Sequence, residues 1–137
     1  MGDNEYEATI AATRIGASVE RFTPRFEVVS VSLALSEDGE SEVLSLQRGF
    51  GSEAEEEEGV CLVFSPSQKC SHRPFEKLTL ERNSIGMRFT AEAQRVFKVS
   101  SMLVAFEASD AAFQELKVNL KVVCRGEPYF TCAESAA

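Results

Sequence analysis

The chain has 137 residues, 44% of them hydrophobic, which suffices for one domain over residues 1–137 with a single core. Its formal charge of -8 resides between positions 37 and 58, where Glu37, Asp38, Glu40, Glu42, Glu53, Glu55, Glu56, Glu57 and Glu58 face one base, Arg48. The absence of a Lys/Arg cluster argues against nucleic acid as partner, and no run approaches the ~20 apolar residues of a membrane span.

The opening "MGDNEYEATI" has no basic or apolar region of a secretory signal and carries Tyr6 where a myristoylation signal needs Ser or Thr. A cytoplasmic protein is therefore expected. A first strand is expected near Thr9 to Ile15, with Pro24 breaking the pattern beyond it. Residues 26–123 are the best-patterned part, and 1–8 and 125–137 read as terminal segments.

Val29, Val31, Leu33 and Leu35 alternate with Ser30, Ser32 and Ala34, the period of a strand with one buried face. The Asp-Gly in "SEDGE" predicts a tight turn, and Leu44 and Leu46 resume the alternation, giving a β-hairpin. A loop bounded by Gly49, Gly51 and Gly59 carries the glutamate run, after which "VCLVFS" is apolar on both sides and suits a central strand. "PSQKCSHRP" reads as loop or edge. A second hairpin follows, with Leu78 and Leu80 alternating, "RNS" turning, and Ile85, Met87 and Phe89 returning.

Thr90 caps a short helix, "AEAQRVF", expected to turn Val96 and Phe97 inward. "SMLVAFE" is another strand, and after a cap at Ser109 or Asp110 the stripe Phe113, Leu116, Leu120, Val123 marks an amphipathic helix. The expected class is α+β: a mainly antiparallel sheet of about six or seven strands, a short helix, and a C-terminal helix covering one face. A parallel pairing of "SMLVAFE" stays open.

Catalytic patterns are missing: there is no G-x-S-x-G elbow, phosphate loop, dinucleotide fingerprint or H-E-x-x-H. Cys61, Cys70, Cys124 and Cys132 are expected as free thiols, Cys61 and Cys124 as small buried residues. Cys70 and His72 stand close together, but no C-x-x-C supports a metal, and no catalytic, cofactor or metal residues are assigned. The glutamates share one wet environment, which suits neither paired acid–base chemistry nor a calcium loop. They are either a solvated run or bait for a basic partner. Phe50, between two glycines, is either an exposed interface anchor or buried under the loop.

The segments "VLSLQR", "GVCLVFSPSQK", "FEKLTLERNSIGMRFTAEA" and "MLVAFEASDAAFQELKVNL", in this order, resemble the Imm10-type immunity proteins of bacterial polymorphic toxin systems. Gln47, Arg48 and Gln68 are the polar matches; "CSHRPFEK" departs from the family's pattern. The resemblance implies a cytoplasmic, non-enzymatic protein that binds and occludes a toxin. Combined with the charge, it makes Phe50, Glu53, Glu55, Glu56, Glu57, Glu58, Asp38 and Glu40 the candidate partner-binding residues, with the 36–42 turn beside the main loop. Two alternatives stand: a small-ligand or enzymatic domain with a pocket near Cys70 and His72, and a structural oligomerising subunit.

Overall fold

The computed structural model describes residues 6–35, 42–51, 59–65 and 67–132. Among the described residues ten strands and two helices follow one another as β1 (Ala8–Ala11), β2 (Arg14–Thr23), β3 (Phe26–Ala34), β4 (Val43–Phe50), β5 (Cys61–Ser65), β6 (Lys69–His72), β7 (Phe75–Glu81), β8 (Ser84–Phe89), α1 (Ala91–Phe97), β9 (Ser101–Ala105), α2 (Asp110–Val123) and β10 (Phe130–Cys132). The class is α+β, as expected.

The strands number more than six or seven and divide between two sheets. One is an antiparallel meander in the order β2-β3-β4-β5-β6; the other is mixed, in the order β1-β9-β8-β7-β10. In the mixed sheet β1 runs parallel to β9 and β10 parallel to β7. The single strand expected near Thr9 to Ile15 is two strands, because the chain turns a corner at Ala12 and Thr13. Ala12 N donates to Ala105 O (2.7 Å) in one sheet and Thr13 N to Ala34 O (2.7 Å) in the other. A second corner lies at Arg73, whose N donates to Val60 O (2.7 Å), and Pro74, whose O accepts from Thr90 N (2.9 Å).

Alternation decides which side chains go inside. Val29, Val31, Leu33, Leu44, Leu46 and Leu62 from the meander meet Leu78, Leu80, Ile85, Met87, Phe89 and Val104 from the mixed sheet in one core. Helix α2 packs over β2, β3 and β4 and adds its stripe of Phe113, Leu116, Leu120 and Val123 to that core. Ser109 is its cap, the hydroxyl accepting from Ala112 N at 3.1 Å. Arg82, in the β7–β8 turn, clamps the same end by donating to Ala108 O (2.9 Å) and Asp110 Oδ1 (2.8 Å).

Helix α1 is capped by Thr90 as expected. It turns Ala93 and Phe97 toward the core rather than Val96 and Phe97, since residues four apart share a helix face. On the outer side of the mixed sheet Tyr6 lies over Gly86, where any Cβ would collide with the phenol, and Arg88 covers the ring at 4.8 Å. Glu7 pins the same segment, accepting from Ser100 N (2.6 Å) and Ser100 Oγ (2.8 Å).

Candidate protein-binding surface

Side chains of the meander that do not enter the core form a second, open face. Strand register sets Ser18, Ser30, Gln47, Cys61 and His72 in one row across all five strands. Gly16, Ser32, Ser45, Val63 and Cys70 form the next row. All ten residues are half-buried or exposed. Hydroxyls, glycine and one amide keep this face low and rich in hydrogen-bonding groups. A shallow depression of about 180 Å³ lies where Val28, Gln47, Gly49, Gly59, Cys61 and His72 meet.

The two ends of the glutamate segment lie at this end of the meander, Gly59 lining this depression and Gly51 another, with Arg25 and Phe26. Gly51 leaves β4 with φ +136°, and a Cβ there would collide with the Arg25 carbonyl. Gly59, with φ +69°, enters β5 while the Arg73 side chain lies 3.2 Å from where its Cβ would be. Gly51 therefore requires glycine, whereas at Gly59 the left-handed backbone favours it. Glu53, Glu55, Glu56, Glu57 and Glu58 lie outside the described residues, as do Asp38 and Glu40.

The flanks of the two acidic segments are far apart. Leu35 N donates to Glu42 O (2.8 Å) at the start of β4, whereas Gly51 follows its end. Eight extended residues separate these ends by roughly 27 Å at ~3.4 Å per residue. The 36–42 turn is thus not rooted beside the main loop.

Phe50 also departs from its reading as an exposed anchor. It continues the inward phase of Leu44 and Leu46 and is 9% exposed, with the guanidinium groups of Arg48 and Arg125 at 5.4 and 4.7 Å from its ring. Arg48 in addition donates through Nη1 to Val123 O (3.1 Å) and Arg125 O (2.9 Å), satisfying carbonyls at the C-terminal end of α2. The polar pair of the family resemblance thus divides. Arg48 holds the helix; Gln47 joins the open face.

Cys70 and His72 do share one side of β6, but the residue opposite His72 is Cys61, while Cys70 faces Val63. Cys61 is half-buried on the open face and not in the core, because Leu62 and Phe64 take the inward phase of β5. Gln47 and Cys61 were therefore missed as surface partners of His72; only the register brings them together. No group of three or more His, Cys, Asp or Glu able to hold a metal occurs among the described residues.

A second cavity of about 240 Å³ opens between the sheets at the opposite end, lined by Ile10, Leu44, Phe64, Phe97 and Met102, with Lys69 and Glu42 the charged residues of its wall. Near the end of α2, burial pushes the Cys124 thiol up to about 12, with Glu127 adding and Arg48 opposing. Burial likewise raises the Tyr129 phenol, helped by Cys124 and Glu127. Both are neutral near pH 7 and are no nucleophiles there.

Among the described residues no helix is long and apolar enough to cross a membrane. Comparison of the chain with protein-family models, curated proteins and solved structures gives no match.

Proposed function

We propose that this is a non-enzymatic binding protein that occludes a basic protein partner in the cytoplasm, as an immunity protein occludes its toxin. The observation that carries this reading is the rooting of the glutamate segment between two conformationally constrained glycines, Gly51 and Gly59, at the rim of the open Ser/Gln face. Charge on a segment whose two ends meet such a surface would steer a basic partner toward it and raise the association rate. The sequence resemblance to immunity proteins points the same way. The depression beside the loop, at about 180 Å³, is smaller than the ~300–1,000 Å³ that buries a drug-sized ligand, which favours recognition of a surface.

Reversing Glu55, Glu56, Glu57 and Glu58 to Lys tests the proposal. Wild-type protein immobilised in a low-salt lysate of the source cells should retain a basic protein that salt elutes. The reversed variant should lose it, with association slowed by about tenfold or more, while circular dichroism stays unchanged. Equal capture by both forms would rule the acidic segment out as the recognition element.

A second reading rests on the pairing of Cys61 with His72, which places a thiol and an imidazole on one side of adjacent strands. Thiol-reactivity profiling that singled out Cys61 or Cys70 at neutral pH would favour a ligand-binding or enzymatic role for that corner.

A further inference from the structure

We propose that strand β2 pairs antiparallel with β2 of a second copy of this chain, centred on Ala17, joining the two meanders into one ten-stranded sheet. β2 is the edge of its sheet, ten residues long and free of proline. The Ala12–Thr13 corner bounds its regular part at one end, and a register shift between Arg21 and Thr23 bounds it at the other. A long edge without a proline or bulge in its middle is a template for another strand.

Two charged side chains of this edge have no partner among the described residues. Arg14 and Glu20 are exposed and stand opposite Ala34 and Val28 on β3, and neither has a hydrogen bond or ion pair among the described residues. Arg21, by contrast, pairs across the strands with Glu27 at 3.3 Å. Val19 and Val118 are the two large apolar side chains exposed among the described residues, at 53% and 56%. Val19 lies on β2 itself, whereas Val118 projects from the side of α2 opposite its buried stripe.

Symmetry then selects the register. Directly opposed residues of an antiparallel pair face the same side, so a two-fold axis passes through a self-paired residue. With Ala17 on the axis, Arg14 meets Glu20 twice and Ile15 meets Val19 twice, with Gly16 opposite Ser18. Centring on Ser18 instead sets Ile15 against Arg21 and Gly16 against Glu20; centring on Gly16 sets Arg14 against Ser18. Ala17 alone among these three matches both the charges and the apolar residues. Ile15 and Val19 stand opposite Leu33 and Val29, on the core side, so the apolar layer continues across the axis. The axis is perpendicular to the sheet, so both α2 helices lie on the same face of the joined sheet. Gln47, Cys61 and His72, on β4 to β6, stay clear of this edge, and the pairing stands or falls independently of the proposed function.

The test is a charge exchange read by light scattering. Wild-type protein should show twice the 15.0 kDa of one chain. Arg14→Glu and Glu20→Arg each place like charges opposite one another at two points and should each weaken dimerisation by roughly tenfold or more. Mixing the two variants restores both opposite-charge pairs and should restore the dimer, a rescue specific to this register. Ala17→Cys should form a disulfide-linked dimer under mild oxidation that maps to position 17, because a two-fold brings identical residues within bonding reach there. Arg14 and Glu20 are both exposed, so circular dichroism should be unchanged. A wild-type mass of one chain, a dimer indifferent to either reversal, or a mixture that fails to reassociate would overturn the pairing.

Discussion

Single side chains in this protein hold junctions between elements, and their removal should be felt at those junctions. Gly51 has the sharpest requirement, because its φ of +136° is unfavourable for any other residue and its missing Cβ makes room for the Arg25 carbonyl. Gly51→Ala should destabilise the protein by about 2 kcal/mol or more, measured by urea unfolding. The sequence points to these glycines as loop boundaries but not to the collision that fixes them. Phe50 shows the converse. Its inward phase from Leu44 and Leu46 was readable, but Arg48 interrupts the apolar series and two glycines flank the ring, so a surface reading stood beside a buried one. What hides Arg48 from a hydrophobic pattern is that its guanidinium enters the protein to meet carbonyls, a partnership between residues 75 and 77 positions apart.

At the scale of elements, Arg48 couples β4 to the end of α2. Arg48→Met keeps much of the aliphatic packing and removes both hydrogen bonds, so it should cost about 1.5–3 kcal/mol of stability. Hydrogen exchange should quicken first in the last turn of α2, before the strands respond. The elements easiest to read were those with one face fully inside: β3, β4, the β7–β8 hairpin and α2 all follow their expected periods. β2 was largely invisible because its residues are mostly exposed, leaving Ile15, Ala17 and Val19 as a faint alternation. β10 is three residues long and follows Pro128. The division into two sheets was beyond reach as well. It is made by the corners at Ala12–Thr13 and Arg73–Pro74, where backbone groups of adjacent residues choose different strands, and such choices leave no side-chain period.

For the molecule as a whole, two buried acids set its behaviour in alkali. Cys124 keeps its proton up to about pH 12 in the folded chain against an ordinary value of 9.0, and Tyr129 is shifted in the same direction from 10.0. Their contribution to stability is complete below pH 9.0, where folded and unfolded chains both hold the protons, and declines as the unfolded chain ionises first. The unfolding temperature should fall above that pH, more gently in Cys124→Ala and in Tyr129→Phe than in wild type, when followed by circular dichroism across an alkaline series. The open Ser/Gln face belongs to this scale too. It was not legible beforehand, because its row from Ser18 to His72 draws one residue from each of five strands and exists only once their register is set.

The position of β1 has a consequence for biosynthesis. Its neighbour is β9, so that Glu7 and Ser101 meet across 94 positions of chain. A ribosome adding ~5–20 residues per second needs roughly 5–20 s to deliver that neighbour. The five-stranded meander, contiguous from 14 to 72, is synthesised before it. The nascent polypeptide therefore carries the meander strands, their core side not yet covered by the mixed sheet and α2, with β1 still unpaired with β9, and that interval is when a chaperone would find most to hold.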